Sequence, residues 1–464
     1  MNDTIAAIST PPGEGGIGIV RVSGDISYEI LKKIFKNCMS NVSLEHRSIC
    51  NSLEDKRMTH GYILDSDESI IDEVLVVYMK GPRSYTGEDV VEIHCHGSLI
   101  ALRRILELVI SKGAIPAEPG EFTKRAFING RIDLAQAEAV IDIIKSKTEI
   151  AYKSAIQQLD GSLSMQVKKF REEIMDLLVS IAVELDYPEE DVKYLSNKEI
   201  INCLSQIANV LEELRSSFFT GRIISQGLKT VIIGKPNVGK SSLFNTLLNE
   251  TRAIVTEIPG TTRDTIEEDV NIKDVLIRLI DTAGIRYTEN EIEMMGVIRS
   301  KDAYSTADLI LLILDGSNSL ADEDIQIIED LREKEVIVVI NKADMGIKVS
   351  VEDVEKMIPG LRHVNTSIKH GTGLEKLMEL IKETVYQGRI SRESLIITNA
   401  RHKYLLDGAA AEIKEAMGLA RLNGTVELIE IHLRQAYELL GEIIGETVGD
   451  DIIKEIFSRF CLGK

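Results

Sequence analysis

The sequence predicts an α/β domain inserted into an all-α helical domain, with a small α+β domain ahead of both. Three observations carry that expectation. Up to about residue 118, short β-branched runs alternate with Gly, Pro and Asp turn signals. Apolar residues at helical spacing follow, and the same texture returns after residue 390. Between those helical stretches, apolar strands alternate with helical segments, as in a parallel sheet covered on both faces.

Taken in chain order, IGIVRVSG, EVLVVYM and DVVEIHC read as strands of the first domain, and SLIALRRILELVISKG reads as its helix. Leu134, Ala137, Ile141 and Ile144 then recur at steps of three and four, as do Ile174, Leu177, Ile181 and Leu185. Near the other end, Leu433, Ala436, Leu440 and Ile443 share one helical face. The intervening strands are TVIIG, LIRLID, LILLILD, VIVVIN and RHVNTS. The expected boundaries are 1–118 for the α+β domain, 119–222 and 387–464 for the two helical parts, and 223–386 for the inserted domain. Two separate helical domains are the alternative.

Composition narrows the function. The 464 residues are too many for one ordinary core, and 44% hydrophobic with 28% charged residues is globular in character. No run of about eighteen apolar residues suggests a membrane span. The start, MNDTIAAISTPPGEGG, lacks the features of an export or import signal, so a cytoplasmic protein is expected. Cys38, Cys50, Cys95, Cys203 and Cys461 are scattered, odd in number and without a C-x-x-C pair, which supports neither a disulfide framework nor a zinc ribbon. His94 and His96 share a strand face, but no third metal ligand has recognisable spacing. A net charge of -20 repels nucleic acid on average, so RNA contact has to be local. Lys124, Arg125 and Arg131, or Arg401, His402 and Lys403, are the candidate basic clusters.

The inserted region carries the chemistry. TVIIG runs into GKPNVGKS, Gly234 to Ser241, and then into the apolar helix SLFNTLL. In that context a glycine-rich loop wraps phosphates, Lys240 reaches the β- and γ-phosphates, and Ser241 can hold Mg²⁺. Asn237, Val238, Gly239 and Ser242 complete the loop's contact positions. DTAG supplies Asp281, Thr282, Ala283 and Gly284, with Asp281 near the metal and the Gly284 amide near the γ-phosphate. NKAD supplies Asn341, Lys342, Ala343 and Asp344. An ionised Asp accepts two hydrogen bonds, which suits the N1–H and 2-amino donors of guanine and not adenine. A last guanine loop is Thr366, Ser367 and Ile368, where S-A-K is the commoner form; Ile368 is tolerable if only its backbone amide is used. The four motifs in order predict GTP. The residue after DTAG is Ile285, so the glutamine that orients water in many GTPases is absent.

GKPNVGKSSL, AIVTEIPGTTRD, DTAGIR, GEDVVEIHCHG, PGEFTKRAF, DLAQAEAV and the terminal FCLGK together resemble the MnmE (TrmE) family of tRNA-modification GTPases, within the TrmE-Era-EngA-like group. The resemblance runs from GGIGIVRVSG to Lys464 and implies an α/β P-loop GTPase domain and a tetrahydrofolate-binding-like amino-terminal domain. It further implies potassium-dependent hydrolysis activated by G-domain dimerisation, with K⁺ held by Asn237, Thr256, Ile258 and Thr261. By the same likeness Thr262 joins Ser241 on Mg²⁺, and Glu257, Pro259 and Gly260 belong to the same nucleotide-contacting stretch. Among Glu289, Glu291 and Glu293, which the residues alone do not separate, family position selects Glu293 to orient the attacking water.

For the first domain the resemblance implies a 5,10-methylene- or 5-formyl-tetrahydrofolate ligand, contacted by Arg21, Glu92, Arg131 and Lys464, with Cys461 as a reactive thiol. Arg and Lys suit a carboxylate tail, and a carboxylate suits pterin donors; read alone, Arg21 and Glu92 would equally make a cross-strand ion pair. The implied partners are a second copy of the chain, an FAD-dependent MnmG in a heterotetramer, and tRNA. The implied product carries a carboxymethylaminomethyl or aminomethyl group at C5 of the wobble uridine. A GTP-switched ribosome-assembly or RNA-binding factor is the alternative, and it would be expected to carry an RNA module such as a KH domain. A stand-alone GTPase scaffold is a third.

Overall fold

A computed structural model describes residues 3–37, 53–186, 196–250, 267–280, 307–332, 334–386 and 395–464. It divides into two compact units: Met1–Ile141 with Gln158–Asp176 and Tyr437–Lys464, and Asp142–Gln157 with Leu177–Ala436.

The first unit is built on a seven-stranded sheet. Its strands are β1 (Ile5–Ile8), β2 (Gly15–Ser23), β3 (Phe35–Asn37), β4 (Thr59–Leu64), β5 (Ile70–Met79), β6 (Val90–Gly97) and β7 (Ile115–Pro116), in spatial order β3-β4-β5-β6-β2-β1-β7. Neighbours are antiparallel except β1 and β7. Period-two alternation sends Val20, Val22, Val91, Ile93 and Val76 into a core closed by helices Ser27–Ile34 and Leu99–Ser111. The same alternation turns Arg21 and Glu92, directly opposite each other, to the other face. The carboxyl-terminal helix Asp450–Ser458 packs on helix Glu121–Ile128, where Phe457 and Phe460 join Leu134 and Ala137.

A buried polar network ties that helix to the sheet. Arg125, only 2% exposed, donates to the Asp3 carbonyl at 2.7 Å, to Glu88 at 3.0 Å and to Glu121 at 2.9 Å. Ser23 donates to the same Glu88 at 2.8 Å. Arg125 is therefore removed from the basic clusters expected to meet RNA, because two carboxylates and burial claim it. His402, fully buried, leaves the second cluster because burial alone removes it from contact with a ligand at the surface.

The second unit holds a six-stranded sheet: β8 (Leu228–Ile233), β9 (Glu267–Ile272), β10 (Val275–Ile280), β11 (Leu309–Asp315), β12 (Val336–Asn341) and β13 (Arg362–Asn365), in order β13-β12-β11-β8-β10-β9. Five of these strands match the sequence reading. The sheet is parallel apart from β9, an edge strand antiparallel to β10. Its sequence, EEDVNI, is half acidic and leaves only Val270 and Ile272 to bury, so its apolar signal is weak. Central strands behave oppositely. Leu309, Leu311 and Ile313 of β11 enter one core with Ile337 and Val339 of β12. Ile310, Leu312 and Leu314 enter the other with Val338 and Ile340. At roughly 1.5–3 kcal/mol for each buried side chain, covering both faces dominates the stability of this sheet.

Helix Asn197–Gln226 starts at a Ser196–Glu199 capping box and ends at Gly227, whose φ is 86°. It packs against helix Ala400–Arg421, so helices from both sides of the sheet in sequence lie together. The α/β domain is thus inserted into a helical one. Leu433, Ala436, Leu440 and Ile443 are all fully buried, whereas Ile144, next to the end of helix Leu134–Lys145, is 44% exposed. Among the described residues no helix is long and apolar enough to cross a membrane.

Replacing Arg125 with methionine leaves Glu88 and Glu121 without their cation in a buried setting. Such a loss costs about 3–5 kcal/mol. Chemical denaturation followed by circular dichroism is expected to show a lowered midpoint for Arg125→Met, and an unchanged midpoint would mean the network contributes nothing.

Candidate functional site

β8 lies at the centre of its sheet with β10 on one side and β11 on the other, so the chain leaves it at a topological switch point, where open α/β sheets bind ligands. The loop Gly234–Gly239 follows, and helix Lys240–Glu250 begins immediately after it. Its path needs left-handed backbone at Asn237, φ 62°, and at Gly239, φ 111°. Asparagine tolerates that region. At Gly239 a side chain is excluded as well, since a Cβ would stand 2.4 Å from the Asn341 amide nitrogen.

That amide joins the site together. Asn341 ends β12 and is 5% exposed. Its Nδ2 donates to the Val238 carbonyl at 2.8 Å, and its Oδ1 accepts the Ile368 amide N–H at 3.1 Å. One side chain thus bridges the phosphate loop and the last guanine loop. The expected backbone amide of Ile368 is spent on Asn341, and the Ile368 side chain packs into the core with Val238. Ile368 therefore supports the pocket through Asn341.

Asp344 sits in a short turn, Ala343–Met345. The Ser367 hydroxyl donates to its Oδ1 at 2.5 Å and holds the carboxyl below the usual carboxylate range. It is thus an ionised acceptor near neutral pH. The Ala343 amide donates to the Thr366 carbonyl at 3.0 Å, and Lys342 pairs with Asp315 at 2.7 Å. Asp315 went unnoticed in the sequence, because it closes LILLILD, whose pattern signals only burial. Lys240 donates to the carbonyls of Gly234 and Lys235, each at 2.7 Å, and burial lowers its pKa. Ser241 and Ser242 lie in the first turn of the helix it starts. Thr256, Glu257, Ile258, Pro259, Gly260, Thr261, Thr262, Asp281, Thr282, Ala283, Gly284 and Glu293 lie outside the described residues.

A second cluster forms in the first unit. Arg21 donates to Glu92 at 2.8 Å across the β2–β6 pair, and its guanidinium lies 5.3 Å from the Tyr85 ring centroid and 5.6 Å from that of Phe122. Arg131 lies 5.0 Å from the same Tyr85 ring and donates to the Tyr85 carbonyl at 2.7 Å. The Phe122 amide donates to the Lys464 carbonyl at 3.2 Å. Arg21, Glu92, Arg131 and the terminal lysine thus converge around two aromatic residues, Tyr85 and Phe122, which sequence reasoning missed because each sits in a run that reads as turn or core. Cys461 is exposed. His94 lies 3.3 Å from Glu92, and His96 pairs with Asp72 at 2.7 Å, which raises its pKa. Among the described residues no group of three metal-ligating side chains assembles.

The model of the MnmE helical domain matches residues 134–461, and that of the GTP-binding protein TrmE N-terminus matches residues 4–131. A relative from Alkaliphilus oremlandii, described as a tRNA modification GTPase MnmE, is 47% identical over 466 residues, spanning 100% of both chains. One of the same description from Thermoanaerobacter pseudethanolicus is 48% identical and covers 100% of this chain and 99% of its own. Among solved structures, the G domain of the T. maritima FeoB iron transporter is 31% identical, covering 34% of this chain and 98% of its own at a TM-score of 0.26.

Asp344 as the base-reading acceptor has a direct test. Asparagine there offers one acceptor and one donor, which mismatches guanine's two donors and fits the 2-oxo group of xanthine. Asp344→Asn is expected to weaken GDP binding by at least about 100-fold while gaining affinity for XDP, in parallel fluorescence titrations. Equal loss for both nucleotides would remove Asp344 from base recognition.

Proposed function

The chain belongs to the MnmE family of tRNA modification GTPases, and from that premise we propose that its GTP hydrolysis serves modification of the wobble uridine of certain tRNAs. The group added at C5 is carboxymethylaminomethyl or aminomethyl, and an FAD-dependent MnmG works alongside in a heterotetramer. The observation that carries this reading is end-to-end likeness: a relative so described spans the whole chain, and the family models match the amino-terminal and helical regions as well as the stretch that holds the nucleotide motifs. The inserted GTPase domain would run from 223 to 386, between helical parts at 119–222 and 387–464, after a folate-binding and dimerising domain at 1–118. A cytoplasmic location accords with that substrate.

The residues of the nucleotide pocket divide the work. Lys240 exchanges the Gly234 and Lys235 carbonyls for β- and γ-phosphate oxygens, and Asp344 reads guanine while Asn341 keeps the two loops in register. Ser241 and Thr262 would hold Mg²⁺, with Asp281 nearby. Asn237, Thr256, Ile258 and Thr261 would hold K⁺, whose positive charge stabilises the charge developing between the β- and γ-phosphates, as an arginine finger does elsewhere. The left-handed backbone of Asn237 fits an amide side chain directed by a tight loop. Glu293 takes over water orientation from the absent glutamine at Ile285. Activity follows association of two G domains.

In the amino-terminal cluster, a cationic guanidinium beside two aromatic rings fits a flat ligand with an anionic tail. A tetrahydrofolate derivative is such a ligand and would supply the one-carbon unit. Arg21, Arg131 and Lys464 would bind its carboxylates and Glu92 its pterin donors, although Glu92 is shared with Arg21 and must divide its oxygens between them. Cys461 is the proposed thiol of the carbon chemistry.

Nucleoside analysis of tRNA from cells lacking the protein tests the whole reading. Loss of the C5 group is expected, and its persistence would leave the ribosome-assembly or scaffold alternatives. The same assay on Cys461→Ser is expected to show loss of the modification, while a normal level would end the thiol's part.

Single-turnover GTP cleavage tests the hydrolysis mechanism. Glu293→Ala is expected to lower the rate by about 100-fold or more, the scale of one positioned acid–base group, with GTP affinity retained. Sodium in place of potassium is expected to remove the stimulation, and equal rates in the two salts would dismiss the K⁺ ligands.

A further inference from the structure

Lys235, the second residue of the phosphate loop, has no part in the motif chemistry above, and neither does Asp324. They meet at 2.6 Å between Nζ and Oδ2. Asp324 belongs to helix Asp322–Asp330, which follows β11, and its side chain is 7% exposed. The same Oδ2 accepts the Ala321 N–H at 3.0 Å. Nothing about this pair resembles the exposed lysine–carboxylate pairs elsewhere on the chain, such as Lys356–Asp353, where side chains are 76% and 59% exposed. Surface pairs of that kind contribute little. A buried carboxylate that loses its cation is left uncompensated.

The backbone of Lys235 is held as firmly as its side chain. On one side Gly234 lies flush on β11, where a Cβ would stand 2.4 Å from the Ile313 carbonyl. On the other, Pro236 fixes its own φ. The Lys235 carbonyl is one of the two that Lys240 grips at 2.7 Å. The Lys240 ammonium has three donors, two of them on the Gly234 and Lys235 carbonyls, so the position of residue 235 helps set where the motif lysine stands before phosphate arrives.

We propose that Lys235 and Asp324 are positioning residues of the nucleotide site: their ion pair keeps the phosphate loop in its binding shape and thereby slows departure of guanine nucleotide. A loop held in shape loses less freedom when the nucleotide arrives, which strengthens binding without new contacts to it. Neither residue is among those assigned above to base or phosphate, so the pair acts on GDP and GTP alike and on affinity more than on turnover. The inference rests on the GTP reading of this pocket.

Stopped-flow release and equilibrium titration of a fluorescent GDP, with steady-state GTP hydrolysis by the full chain, test it. Asp324→Asn and Lys235→Met are each expected to raise the release rate and Kd about tenfold. Combining them is expected to add no more than about twofold, as for two ends of one interaction. Asp324→Asn is expected to raise KM with kcat within about twofold, and Lys235→Arg to keep wild-type binding. Should Asp324→Asn fail to fold, Lys235→Met and Lys235→Arg carry the comparison, since the lysine is the more exposed partner. Unmoved release rates, fully additive effects, or a fall in kcat at unchanged Kd would overturn the inference alone. Failure of the wild-type chain to bind the fluorescent GDP would overturn the GTP reading itself.

Discussion

The nucleotide pocket depends on the carboxamide of Asn341 more than on any other single group. It is the point where three loops from distant parts of the sequence become one surface: its nitrogen reaches the phosphate loop at Val238, its oxygen takes the amide of Ile368, and its backbone ends β12. A buried amide with both ends satisfied is stabilising, whereas either end left open would carry a desolvation cost. The requirement propagates outward. Residue 239 must be glycine because the amide nitrogen occupies the space of a Cβ, and Ile368 must turn its side chain to the core because its N–H faces inward.

Around that junction the lysines are distributed by carboxylates. Asp315 takes Lys342 and Asp324 takes Lys235, while Lys240 alone is left with backbone carbonyls as its partners at the loop. Carbonyls are weaker partners for an ammonium than a charged phosphate. The lysine proposed to meet phosphate is thus the one held by backbone carbonyls, and the other two are held by carboxylates.

The amino-terminal cluster follows a similar economy with different parts. Strand register sets Arg21 opposite Glu92, and the loop bearing Tyr85 is fixed by side-chain contacts: Arg125 to Glu88, Asn129 to the Thr86 carbonyl at 2.7 Å, and Arg131 to the Tyr85 carbonyl. Arg125, which read as a surface cation, is structural because Glu88 needs a charge beside it. The ion pair that a plain reading of β2 and β6 allowed is present at Arg21, and the Tyr85 and Phe122 rings lie within about 6 Å of the same guanidinium.

The sequence by itself determined the class of architecture and the nucleotide: runs such as LILLILD and VIVVIN bury on both faces wherever they are placed, and GKPNVGKS and NKAD carry their chemistry in local spacing. It could not determine β9, because an edge strand half made of acids buries too little to leave a periodic mark, nor distinguish Arg125 from a solvated cation, because its partners Asp3, Glu88 and Glu121 are mostly remote in sequence. The tertiary structure alone decided which side chains hold the motifs in place. Asp315, Asp324, Tyr85 and Phe122 bear no local signature, for a positioning role is defined by what lies across the fold at about 3 to 6 Å, and that distance is a property of packing rather than of order along the chain.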